Sequence, residues 1–184
     1  MNFNKHYGLE GKHAFLSASQ YHWLNYSEEK LVDRYNNWKA AEKGTRIHEI
    51  AASLINEGIA LPRSNQTLNM YVNDGITYKM TTEQILYYSE NCFGTADTIS
   101  FKRDFLRIHD LKTGTTPASM KQLEIYAALF CLEYSVKPSD IKMELRIYQN
   151  NEKNIFVPTA EDIFPVMDKI VTSDRIIIEL KGEE

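Results

Sequence analysis

Gly94-Thr95-Ala96-Asp97-Thr98-Ile99, a turn at Lys102-Arg103-Asp104, and Ile108-His109-Asp110-Leu111-Lys112-Thr113-Gly114 form the window that decides how this chain reads. Aromatic and branched residues separated by turn signals predict three strands, at 85–88, 94–101 and 105–111, with the last two antiparallel across the turn. Side chains alternate along a strand. Asp110 and Lys112 are therefore expected on one face, Leu111 in the core, and His109 on the opposite face in a structural role. A hairpin centred near Arg103 brings the carboxylate of Asp97 alongside that of Asp110. Two adjacent carboxylates are a costly arrangement unless a cation lies between them, and oxygen ligands with room for water suit Mg²⁺ or Mn²⁺.

Working outward, Ser27-Glu28-Glu29 predicts a helix start. Apolar residues at Ala40, Ile47, Ala51, Leu54 and Ile55 continue the helical spacing until Gly58, with Gly44 a candidate break into two helices. Pro62, Ser64 and Asn65 mark a loop over 60–66, and a short helix is expected over 68–72. Downstream, Pro117 is expected to open a helix reaching Tyr134, with Leu123, Tyr126, Ala127 and Phe130 on its apolar face. Strands follow at 141–149 and 154–157, then a C-terminal helix from Ala160 to Leu180. The order predicts a single α/β domain over 1–184 with a central mixed sheet flanked by helices, an N-terminal helical segment and a C-terminal helix.

The chain has 184 residues and 43% apolar content, enough for one well-buried core. No apolar stretch is long enough for a membrane span, and no signal-peptide pattern opens the chain, so a soluble cytoplasmic protein is expected. Cys92 and Cys131 lack the short spacings of structural zinc sites and read as buried thiols. The net charge of -4 argues against phosphate binding over the whole surface. Nucleic-acid binding then needs a local basic surface, for which Lys102, Arg103, Arg107, Lys112 and Lys121 are the candidates.

Phosphodiester hydrolysis requires neutralised phosphate charge and an activated water. A carboxylate-held metal with a neighbouring lysine supplies both, with Lys112 positioning the water or meeting the developing charge and the backbone carbonyl of Leu111 as a further ligand. Gln122 and Tyr126, four apart on a helix, share a face that can line such a site, although Tyr126 also reads as core. Glu49 and Glu83 read as solvated carboxylates or outer ligands.

Gly94-x-x-Asp97, Asp110-Leu111-Lys112-Thr113-Gly114 and Gln122-x-x-x-Tyr126 resemble, in order and spacing, the successive motifs of RecB-family nucleases of the PD-(D/E)XK superfamily. Gly44-Thr45-Arg46-Ile47-His48-Glu49 looks like the upstream helix that carries this family's histidine. The resemblance implies a catalytic set of Asp97, Asp110, Lys112, Gln122 and Tyr126. The implied metal ligands are His48, Asp97, Asp110 and the Leu111 carbonyl, with Arg46, Lys102, Arg103 and Lys121 toward DNA. Phe15-Leu16-Ser17-Ala18-Ser19 and Trp23-Leu24-Asn25 are similar to the opening of phage-encoded and CRISPR-adaptation members. Several of those bind an iron–sulfur cluster through a cysteine just after this stretch and three near the C-terminus. Tyr26 occupies that first position and the C-terminal part has no cysteine, so the cluster-free branch, like lambda exonuclease, is implied.

The implied function is a metal-dependent deoxyribonuclease, an exonuclease acting in phage or bacterial recombination, repair or end processing. The alternative is a non-catalytic relative that binds DNA or a partner protein. At the level of fold analogy, a homo-oligomer and a recombination partner protein join DNA among the implied partners. Gly8-Leu9-Glu10-Gly11-Lys12 lacks the spacing and hydroxyl of a P-loop, so no ATP use is expected, and Ser17 and Ser19 lack a nucleophile-elbow context.

Overall fold

A computed structural model describes residues 7 and 14–182. The chain divides between Thr45 and Arg46 into two compact units, within the range read from sequence as one domain. Helix α1, Glu28–Glu57, runs through Gly44 without the break expected there. A glycine inside a helix costs only about 1 kcal/mol relative to alanine, too little to end a long helix. Its start is as expected, with Ser27 Oγ accepting the N–H of Lys30 at 3.3 Å.

In the first unit a 3-10 segment, Ala18–Asn25, precedes α1. Phe15 packs its ring against Tyr35 and Trp38, at centroid distances of 5.4 and 5.8 Å. Trp23 Nε1 donates to the carbonyl of Ser17 at 2.9 Å. The stretch at 8–12, read from sequence as lacking the features of a P-loop, lies outside the described residues.

The second unit is α/β. Its elements are the end of α1, α2 (Thr67–Thr77), β1 (Thr81–Ser89), β2 (Cys92–Lys102), β3 (Phe105–Leu111), α3 (Lys121–Glu133), β4 (Lys142–Gln149), β5 (Glu152–Phe156) and α4 (Ala160–Gly182). One sheet carries the strands in the order β1-β2-β3-β4-β5. All neighbours are antiparallel except β3 and β4, which run parallel with α3 as the crossover. Arg103 and Asp104 both have positive φ, 50° and 56°, as do Asn150 and Asn151. Positive φ at both central residues is the signature of a two-residue type I′ hairpin, whose twist matches that of the strands.

The sheet buries both faces. Leu86, Ile99, Leu106, Ile108, Leu145 and Ile147 pack beneath Leu123, Ala127 and Phe130 of α3 and Ile163 of α4. On the other face Leu111 and Tyr148 meet Ala51 and Ile55 of α1 and Tyr71 and Val72 of α2. Among the described residues no helix is long and apolar enough to cross a membrane.

Several elements differ in extent from their sequence pattern. Helix α2 continues to Thr77 through Asn73-Asp74-Gly75. Asn73 satisfies both backbone groups of Leu61 at 2.9 Å, and Gly75 lets Ile55 approach so closely that a Cβ there would lie 2.7 Å from its Cδ1. Helix α3 begins at Lys121 instead of Pro117. Gln149 captures the preceding loop, accepting the N–H of Ala118 at 3.0 Å and donating to the carbonyls of Gly114 and Thr116 at 2.7 and 2.8 Å. Strand β1 is longer than expected and starts at Thr81. Cys131 is buried, whereas Cys92 is partly exposed.

His109 sits on the α2 face, fully buried, with Nδ1 3.3 Å from the Tyr148 hydroxyl and Nε2 without a partner. Tyr148 donates to Asp74 at 2.6 Å, and Asp74 also receives Arg146 at 2.8 Å and Lys153 at 3.0 Å. Burial, assisted by the Arg146 charge, pushes the imidazole pKa down to about 3. The unfolded chain binds a proton at this histidine below pH 6.5 while the folded one does not, so stability is present above pH 6.5 and is lost on acidification toward 3. Urea denaturation at a series of pH values below 6.5 should show His109 contributing a loss of up to about 1.4 kcal/mol per pH unit. A folded His109→Gln variant should lack that slope; equal slopes for the two proteins would refute the assignment.

Candidate functional site

The site forms where β1, β2 and β3 depart from regular pairing. Strands β1 and β2 hold one register from Thr81 opposite Ile99 to Tyr87 opposite Phe93, yet the row that should join Glu83 to Asp97 does not pair. On β2, Ala96 and Ile99 both pack in the core beneath α3, although residues three apart on a regular strand face opposite sides. The alternation therefore slips by one residue at Asp97–Thr98. Directly opposite, Glu83 has φ +50°, a left-handed conformation costing a non-glycine residue of order 1–3 kcal/mol. This distortion gathers Glu83 and Asp97 at His48 of α1. One donor atom from each of the three lies within 4.8 Å of the others, and His48 Nδ1 is 3.3 Å from Asp97 Oδ2.

Pairing between β2 and β3 ends at Thr98 opposite His109, one row short of Asp97 and Asp110. In place of the missing rung, Asp97 Oδ2 accepts the backbone N–H of Leu111 at 2.9 Å. The Leu111 side chain is buried on the α2 side as expected. Asp110, only 2% exposed, lies on the α3 side, where Lys112 Nζ is 3.0 Å from each of its oxygens. The hydrogen bond goes to Oδ1, and Oδ2 has no hydrogen-bond partner. Lys112 also donates to Gln122 Oε1 at 2.9 Å, and Gln122 Nε2 donates to the Tyr126 hydroxyl at 3.0 Å. Gln122 is exposed and Tyr126 partly so, so Tyr126 both lines the site and packs against the core.

The glycine of the first motif has a steric reason. A Cβ on Gly94 would stand 2.9 Å from Cε1 of Tyr126, so the ring can cross β2 only over a residue without a side chain.

Charge crowding is visible in the acid–base properties. Burial and then the Asp97 carboxylate push Asp110 above the usual carboxylate range, against the opposing pull of Lys112. Burial and then Asp97 do the same to Glu83. The hydrogen bond to Asp97 raises His48 above its ordinary value in spite of its burial. The donor set of two carboxylates and an imidazole, beside a buried carboxylate oxygen that makes no hydrogen bond, fits a divalent cation in charge and chemistry.

No protein-family model matches the chain, and no curated protein is similar to it.

Of the sequence candidates, the structure brings together His48, Asp97, the backbone of Leu111, Asp110, Lys112, Gln122 and Tyr126. Glu83, read from sequence as a solvated carboxylate or outer ligand, joins the innermost group. Its signal was its register opposite Asp97, which becomes legible only once the turn between β1 and β2 is located at Glu90-Asn91. The basic candidates are dispersed. Lys102 and Arg103 occupy the hairpin tip, at or beyond Phe105, which is five residues along β3 from Asp110, or about 17 Å at the rise of a strand. Lys102 donates there to the carbonyls of Tyr78 and Lys79, each at 3.4 Å. Arg107 is on the α2 face, paired with Glu144 at 3.3 Å. Lys121 pairs with the buried Glu124 at 2.6 Å and borders a cavity of about 690 Å³ between α3 and α4. Arg46 is exposed on α1, two residues before His48.

Gly94→Ala should cost about 1–3 kcal/mol through overpacking against Tyr126. In a Tyr126→Ala background the same substitution should cost nothing further, so denaturation of the four proteins of this cycle should report a coupling close to the single-mutant loss. Additive losses would show that Gly94 does not serve the Tyr126 ring.

Proposed function

We propose that the chain is a metal-dependent DNA phosphodiesterase of the PD-(D/E)XK type, acting as an exonuclease in recombination, repair or end processing. The observation that carries this reading is the meeting of a buried, incompletely partnered Asp110 with Lys112 on one side and the His48–Asp97 pair on the other. A purely structural ion pair needs neither a second carboxylate beside the first nor an exposed glutamine holding the lysine. His48, Asp97, Asp110 and the Leu111 carbonyl are the residues that would hold the cation, following the resemblance of the motifs.

A divalent cation bound there supplies Lewis acidity toward a phosphoryl oxygen and lowers the pKa of a bound water. The remaining work falls to side chains. Lys112, fixed by Asp110 and Gln122, presents an ammonium at the carboxylate, where it can orient a water or meet the negative charge that grows on the phosphate. Gln122 accepts from Lys112 and donates to Tyr126, so it sets the direction of the ammonium without carrying charge. Leu111 contributes its N–H to keep Asp97 beside Asp110. Partial exposure of Lys112 and exposure of Gln122 leave the α3 side of the cluster open to a phosphate.

End-labelled linear and circular DNA, single- and double-stranded, incubated with Mg²⁺ or Mn²⁺ test the proposal. Linear DNA should be degraded, EDTA should stop the reaction, and circles should survive if the action is exonucleolytic. Asp110→Asn and Lys112→Ala should each slow cleavage by about a thousandfold, equivalent to roughly 4 kcal/mol of transition-state stabilisation. Lys112→Ala should leave metal affinity unchanged or slightly higher, because a nearby positive charge has gone. Cleavage that survives EDTA, or a fully active Lys112→Ala variant, would exclude this mechanism and favour a module that only binds DNA or protein.

A further inference from the structure

We infer that Glu83 is an inner ligand of the cation, forming with His48 and Asp97 a one-imidazole, two-carboxylate site that takes Mn²⁺ in preference to Mg²⁺. The inference rests on the metal-dependent reading above and adds to it a residue outside the three motifs, supplied by β1. Three observations converge on it.

The first is proximity: donor atoms of His48, Glu83 and Asp97 lie within 4.8 Å of one another, close enough for all three to reach one ion. Asp110, in contrast, is already engaged by Lys112 through both oxygens at 3.0 Å. The second is the shape of the sheet. Glu83 and Asp97 face each other in the one row of the β1–β2 ladder between Thr82 and Gln84 that lacks a pair, and Glu83 reaches it with φ +50°. The third is independent of this triad: Asp110 Oδ2, buried beside it, has the Lys112 ammonium at 3.0 Å but no hydrogen bond, so it keeps acceptor capacity that a cation could use.

Donor chemistry gives the selectivity. Mg²⁺ favours a near-ideal octahedron of oxygens, several of them water, and loses its water reluctantly. Mn²⁺ is larger and softer than Mg²⁺ and, although it stands at the weak end of the first-row affinity order, accepts an imidazole nitrogen beside carboxylates more readily than Mg²⁺ does. A site with His48 in direct reach of Glu83 and Asp97 therefore discriminates against Mg²⁺ through its nitrogen and against a water-rich shell through its third protein ligand.

The test is calorimetric titration of the full chain with Mn²⁺ and with Mg²⁺, for wild type, Asp97→Asn, Glu83→Gln and Glu83→Gly. Glycine is included because it adopts positive φ freely, removing the carboxylate without straining the strand. Wild type should bind Mn²⁺ at least about tenfold more tightly than Mg²⁺, and each folded Glu83 variant should weaken Mn²⁺ by about tenfold or more, as loss of a ligand requires. Mn²⁺ binding by folded Glu83→Gly equal to wild type, with Asp97→Asn defective, would overturn the inference while leaving the metal-dependent reading intact. Equal affinity of wild type for the two ions would overturn the stated selectivity. Failure of wild type to bind either ion would overturn both the inference and the reading beneath it.

Discussion

Asp97 takes the backbone N–H of Leu111 at 2.9 Å, in the row where β2 and β3 stop exchanging ladder hydrogen bonds. A free N–H at a buried strand end carries a penalty of about 1–3 kcal/mol, so some acceptor has to stand there. Using a carboxylate for that purpose has a consequence that an uncharged acceptor would not. It fixes a negative charge between β2 and β3, within reach of His48, opposite Glu83 and adjacent to Asp110. The slip of alternation on β2, the left-handed Glu83 and the open pairing between the strands are all parts of one local distortion that seats this side chain.

Two polar clusters flank β3, and their contrast separates support from chemistry. On the α2 side Arg146 reaches Asp74 at 2.8 Å and Glu144 at 2.8 Å, Lys153 reaches Asp74 at 3.0 Å, and neutral His109 meets the hydroxyl of Tyr148. Every carboxylate there faces a cation, which is what a buried charged network needs in order to support a fold. Around Asp97, in contrast, carboxylates face one another. Asp110 and Glu83 are both held above their ordinary pKa by burial and by Asp97, so the ionised cluster opposes folding and relaxes on protonation. Strain and charge repulsion concentrated in one place are characteristic of sites arranged for a ligand.

The hairpin was legible because a short polar turn, Lys102-Arg103-Asp104, is flanked by apolar strands. A turn centred near Arg103 brings Asp97 alongside Asp110; the structure centres the hairpin on Arg103-Asp104 and ends its ladder one row short of these two residues. The Gln122–Tyr126 spacing was legible for the same reason, a helix placing residues four apart on one face. Glu83 was not legible as part of the innermost group. Its strand departs from alternation at that residue, and an isolated glutamate on an irregular edge strand looks like a solvated one. The late start of α3 was hidden because its cause is Gln149, thirty-one residues beyond the Ala118 it captures. Sequence proximity misled for Lys102 and Arg103: beside the motifs along the chain, they sit at the far end of the hairpin in space.

The central claim is that the pairing of Asp110 with Lys112 belongs to a ligand site and does not hold the fold together. Urea denaturation of wild type and Asp110→Asn in EDTA decides this directly. Removing the charge of Asp110 should leave the metal-free protein as stable as wild type or more so, since the repulsion from Asp97 disappears and the partly exposed Lys112 can turn to water. A loss of about 3–5 kcal/mol, the usual result of breaking a buried structural ion pair, would contradict the account.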